Sequence, residues 1–216
     1  MARDKPYSWI KEQLESSSTN IKVIFSKDMC LGIDGHYEDL PRAFRHTFLI
    51  RHPYLVFDSW KRTINRDIKN KSDKMSLLEQ PSLFIPGGSF YKEQYDLYLY
   101  VKEKFESNPV IIDSDNLLQN PAGIMKAYCE AVGIPFSNDL LQWKAGRDCM
   151  DNQWMVAKEH IATHNLGGLH RETFESTNFG NPRKVPDRSD LDADVLHKSD
   201  ISMKYYNEMY ANRLKV

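Results

Sequence analysis

Apolar and polar positions divide the chain into short β-like runs and longer helical stripes. After Pro6, the residues Tyr7, Trp9, Ile10 and Leu14 recur at mostly helical spacing and stop at a triplet of serines, which predicts a helix over 7–16. IKVIFS, at 21–26, is β-branched and aromatic and predicts a buried strand. HTFLIR, at 46–51, repeats that signal, and Pro53 then opens a helix carrying Val56, Phe57, Trp60 and Ile64. The charged stretch at 65–76 reads as a solvated surface segment or helix end. A Tyr-rich amphipathic helix is predicted over 90–107, with Tyr91, Tyr95, Tyr98, Leu99, Val101 and Phe105 on its stripe, and a third strand over 109–113. Asn120 and Pro121 form an N-cap and first-turn pair for a helix that Gly133 closes. Residues 148–188 are rich in His, Gly and Asn and predict irregular structure around short helices, and 190–214 predicts a C-terminal helix. Strand-to-helix units of this kind specify an α/β domain with a parallel sheet and flanking helices, spanning 1–216 as one unit.

Composition narrows the function classes. The chain has 216 residues, with 29 Lys plus Arg against 30 Asp plus Glu and a net charge of -1, which argues against coating nucleic acid or an anionic membrane. No run approaches the roughly 18 apolar residues of a membrane span, and the N-terminus lacks the apolar core of a signal peptide. The three cysteines, Cys30, Cys129 and Cys149, are odd in number and widely spaced, so a reducing, cytoplasmic setting is expected.

The most informative stretch is HTFLIRHPYLVFDSWKR. It delivers Arg51 at the carboxyl end of a strand, where open α/β sheets bind ligands, and Ser59 eight positions later on the following helix. A guanidinium fork and a hydroxyl suit a phosphate, though the same two residues also read as a surface ion pair and a helix serine.

This Arg-x-Pro strand end, with its serine eight positions on, resembles the 3′-phosphate-binding motif of sulfotransferases that use 3′-phosphoadenosine 5′-phosphosulfate. The block from Val110 to Ile134 is similar to that family's later strand, loop and Asn-Pro helix start. Lys27 stands 24 positions before Arg51, near the separation of the family's strand-end lysine. The resemblance runs from Ile21 to about Trp143. It is strongest to the divergent sulfotransferase-like branch sometimes named as branched-chain aminotransferase-like, a name whose pyridoxal chemistry finds no lysine motif here. It implies a three-layer sandwich of the P-loop nucleotide hydrolase type. It further implies that Arg51 and Ser59, with Arg183 and Lys184 as a looser basic pair, bind 3′-phosphoadenosine 5′-phosphosulfate or adenosine 3′,5′-bisphosphate without any metal. The partners would be that nucleotide and a small hydroxyl or amine acceptor.

Two departures shape the expected activity. The family's opening strand and phosphate loop have no counterpart in residues 1–26, so a truncated sheet is expected, with an exposed edge that leaves homo-oligomerisation open. Met29 stands two after Lys27, where many members carry a histidine, leaving Lys27, Asp28 and His36 as catalytic candidates. Either an enzyme or a catalytically inactive module that binds nucleotide or protein fits these facts. A lesser alternative comes from HIATHNLGGLH, in which His160, His164 and His170 have zinc-ligand spacing. Ile161 replaces the glutamate a zinc protease requires.

Overall fold

In the computed structural model, residues 6–16, 23–66, 68, 74–79, 90–146 and 171–216 are described. Helix α1 spans Tyr7–Glu15, and short 3-10 turns follow at Cys30–Ile33 and Tyr37–Asp39. Strand β1 (Phe48–Ile50) leads into α2 (Pro53–Ile64), and α3 (Phe90–Lys104) precedes strand β2 (Ile111–Asp113). Three short helices follow: α4 (Ser114–Gln119), α5 (Pro121–Val132) and α6 (Arg171–Glu175). The long helix α7 (Ala193–Ala211) closes the described chain.

The two strands pair in parallel, with Phe48 opposite Ile111 and Ile50 opposite Asp113. A parallel pair needs a crossover, which α2 and α3 provide. In this register Phe48, Ile50, Ile111 and Asp113 share one face of the sheet. That face is buried beneath α2, α3 and α7 in a core containing Phe57, Tyr91, Tyr98, Val101, Val195, Tyr206 and Met209. Leu49 points the other way and is 57% exposed. The fold is therefore α/β with a small parallel sheet, as the strand-to-helix pattern predicts.

Helix boundaries follow local chemistry. Pro53 occupies the first turn of α2, and the Asn120 side chain accepts the Gly123 amide at 3.1 Å to cap α5. Gly133 ends α5 at φ 78°, a left-handed conformation that glycine adopts without a Cβ clash. Asn120→Ala is expected to lower stability by about 1 kcal/mol; urea unfolding, read as a lower midpoint at constant slope, checks this.

One expected strand is corrected. Residues 21–22 lie outside the described residues, and 23–26 form no strand. Val23, Ile24 and Phe25 are 55%, 43% and 75% exposed. A β-prone run becomes a strand only beside another strand's free edge, and no partner pairs with this one among the described residues. Helix α4 is a second difference: its polar sequence SDNLLQ hides a helix started by the Asp113 cap. Most of the 148–188 segment lies outside the described residues, as do Cys149, His160, His164 and His170.

Candidate functional site

The carboxyl ends of β1 and β2 lie side by side, and the residues that follow them converge. Arg51 leaves β1, and its carbonyl accepts the Tyr91 hydroxyl of α3 at 2.7 Å. His52 caps α2, accepting the Tyr54 amide on Nδ1 at 3.2 Å, which places the ring proton on Nε2. Burial holds the His52 pKa below its usual value against the opposing pull of Asp115 and Asp113, so the ring is neutral near pH 7 and presents an N–H.

From β2, Asp113 is 3% exposed yet fully engaged. Its Oδ1 accepts the amides of Asp115 and Asn116 at 3.1 and 2.9 Å, and its Oδ2 accepts the Tyr206 hydroxyl of α7 at 3.1 Å. Burial raises its pKa despite these donors. The His52 ring lies edge-on to Tyr206 at 5.4 Å and to Tyr54 at 5.0 Å. Asn116 accepts from Arg213 at 2.6 Å, which ties the end of α7 to α4.

Arg51 itself is held loosely. Its Nε lies 3.4 Å from Asp115 Oδ1, and among the described residues its side chain donates no hydrogen bond. The helix N-termini nearby are already satisfied by the chain's own acceptors, since His52 takes the Tyr54 amide and Asp113 takes those of α4. An anion at this edge is therefore met chiefly by side chains, with Arg51 central. That chemistry fits a phosphate group.

The sequence candidates distribute unevenly around this edge. Ser59 lies in α2 about two turns beyond His52, roughly 10 Å along the axis. Arg183 and Lys184 sit on an exposed loop, where Lys184 is 3.7 Å from Asp187. Arg188, just downstream, hydrogen-bonds Tyr54 in the first turn of α2 and grips Asp200 through two bonds of 2.6 and 2.9 Å, which anchors that loop beside His52. Lys27 and Asp28 are exposed, Asp28 accepting the Met29 amide. His36 stacks on Tyr7 at 4.4 Å and pairs with Glu38 at 3.6 Å. Among the described residues, no hydrogen bond or ion pair joins Lys27, Asp28 or His36 to the Arg51 cluster. His36, Glu38 and Asp39 also place three ligand atoms within 4.8 Å of one another on the surface. His52, Asp113, Asp115 and Tyr206 do not stand out in the sequence. For His52, Asp113 and Asp115 the signal is the pairing of RHP after one strand with DSD at the end of the next; for Tyr206 no local signal exists.

Among the described residues no helix is long and apolar enough to cross a membrane. Comparison with known proteins adds the family. Branched-chain-amino-acid aminotransferase-like protein 1 of Arabidopsis thaliana is 31% identical over 78 residues, 36% of this chain and 12% of that protein. Sulfotransferase ppzF of Metarhizium majus is 27% identical over 95 residues, 41% of this chain and 27% of that protein. The chain thus spans a small part of the length of these relatives. No solved structure matches it. A family model described as "Sulfotransferase domain" matches residues 99–213, which include β2, α4, α5 and α7 and so the Asp113, Asp115 and Tyr206 half of the cluster. With just over half of its length accounted for by that domain, the chain belongs to the sulfotransferase family.

Proposed function

We propose that the carboxyl edge of the sheet binds the 3′-phosphate of 3′-phosphoadenosine 5′-phosphosulfate or of its product adenosine 3′,5′-bisphosphate. The setting is a three-layer domain of the P-loop sulfotransferase type. The observation that carries this reading is Arg51, a strand-end guanidinium whose side chain donates no hydrogen bond among the described residues. Arg51 would supply charge and paired donors, the neutral His52 an N–H, and Ser59 a hydroxyl. The loop of Arg183 and Lys184, anchored through Arg188, would close over the same anion. When bound, 3′-phosphoadenosine 5′-phosphosulfate would supply an activated sulfuryl group for a hydroxyl or amine acceptor, with adenosine 3′,5′-bisphosphate as the leaving group. The chain's part is to orient the phosphate and, through Lys27, Asp28 or His36, to handle the acceptor's proton.

A second reading is nucleotide binding without turnover, in a cytoplasmic module. It is favoured by the lack, among the described residues, of any hydrogen bond or ion pair from Lys27, Asp28 or His36 to the cluster and by Met29, which cannot relay a proton. Both readings require the 3′-phosphate site. Calorimetric titration is expected to give at least tenfold tighter binding for adenosine 3′,5′-bisphosphate than for adenosine 5′-monophosphate, which lacks that phosphate. Equal affinities contradict the proposal.

A further inference from the structure

The ion pair between Arg51 and Asp115 differs from the carboxylate contacts of Asp113 and Asp194. Asp113 accepts three hydrogen bonds, and Asp194, on α7, accepts bonds from Lys61, Ser76, Leu77 and Val195. Asp115 is nearly as enclosed, its side chain 14% exposed, yet neither of its oxygens nor Arg51 Nε has a hydrogen-bond partner among the described residues. A shielded carboxylate without donors carries its desolvation cost and recovers only the Coulomb attraction of the arginine. Its side chain is also unnecessary to the helix that bears it, because Asp113 caps α4 and Arg213 tethers Asn116. Rotation of the Asp115 side chain toward solvent therefore leaves the backbone in place.

Charge points the same way. Arg51 faces Asp115 from α4 and Tyr91 from α3, while Asp113 from β2 adjoins Asp115, Tyr206 from α7 bonds Asp113, and the neutral His52 at the start of α2 feels both carboxylates. With both carboxylates ionised, Asp113, Asp115 and Arg51 together carry one net negative charge. An incoming anion meets repulsion from Asp115 until that carboxylate leaves.

Resting on the proposed phosphate site, we infer that Asp115 is an internal counter-anion that occupies the ligand's place on Arg51 and sets the site's selectivity. A monoanionic carboxylate gains nothing by replacing one already tethered there. A phosphate monoester does, because it brings a second charge and three acceptor oxygens to the guanidinium. Asp115 thus tunes the site to phosphate monoesters and lowers its affinity for all anions.

The test is calorimetric titration of the full chain, Asp115→Asn, Asp115→Ser and Arg51→Gln with adenosine 3′,5′-bisphosphate, each protein first checked by circular dichroism. Both Asp115 substitutions are expected to tighten binding tenfold or more. Adding Arg51→Gln to Asp115→Asn should erase that gain, since the two residues act on one anion. Unchanged or weaker binding by folded Asp115→Asn and Asp115→Ser, with Arg51→Gln still impairing the parent chain, overturns this inference and leaves the phosphate site standing. If parent and Arg51→Gln bind equally, or neither binds, the phosphate site itself fails and this inference fails with it.

Discussion

Replacing Arg51 by alanine is expected to weaken binding of adenosine 3′,5′-bisphosphate by ten- to a hundredfold, with little loss of folded stability. The binding effect follows from removing charge-assisted hydrogen bonds, each worth about 1.5–3 kcal/mol, where every 1.4 kcal/mol is about tenfold in affinity. Stability changes little because the guanidinium donates to no protein acceptor among the described residues, because Asp115, left without its counter-charge, can turn to solvent without disturbing the α4 backbone, and because the Tyr91 hydroxyl bonds the Arg51 carbonyl, a backbone contact that survives. Titration and thermal unfolding of the same preparation separate the two effects. Loss of affinity together with loss of fold would assign Arg51 a structural role instead.

Asp194→Ala is expected to do the reverse, lowering stability by roughly 3–5 kcal/mol, the usual cost of removing one member of a buried ion pair. Asp194 is 7% exposed and ties three segments together. It accepts from Lys61 of α2 at 2.6 Å, from the Leu77 amide at 2.8 Å and from Ser76 at 3.2 Å. Substitution orphans the Leu77 amide in the core and leaves Lys61 only its bond to the exposed Asp192 at 2.8 Å. Chemical denaturation measures the loss.

The same residue predicts the shape of the acid limb. Burial pushes the Asp194 pKa up, but the hydrogen bonds from Lys61, Leu77 and Ser76 outweigh it and hold the group below its ordinary value of 3.8. A depressed carboxylate contributes stability that is complete above the unfolded pKa and is lost as the pH falls through the folded one. Asp113 has the opposite sign. Its raised pKa favours the protonated form in the fold, so its contribution declines as the pH rises from 3.8 toward the folded value. Asp194→Ala should therefore flatten the loss of stability below pH 4, whereas Asp113→Asn should leave that acid loss intact and remove the decline above it.

Local signals in the sequence carried much of the fold. Pro53, the Asn120-Pro121 pair and Gly133 mark helix ends whose chemistry lies within a few residues, and those ends appear where the pattern places them. Strands depend on distant partners. Only residues 48–50 of the run at 46–51 and 111–113 of the run at 109–113 pair, because among the described residues each strand has one neighbour, and the equally β-prone Val23–Phe25 run has none. The candidate site was legible at Arg51 alone, where a charged residue ends a strand. Asp113 and Tyr206 lie 93 positions apart and meet only because α7 folds back across the sheet, a juxtaposition that no local spacing encodes. Asp115 was hidden for a different reason. In sequence it reads as a loop aspartate, and its significance lies in hydrogen bonds it does not make.

Side-by-side calorimetric titration of the chain and of Arg51→Ala with adenosine 3′,5′-bisphosphate decides whether Arg51 anchors a nucleotide's 3′-phosphate. Saturable one-to-one binding by the parent chain, weakened at least tenfold in the variant, is expected. Equal affinities for the two proteins, or no binding by the parent chain, would contradict it.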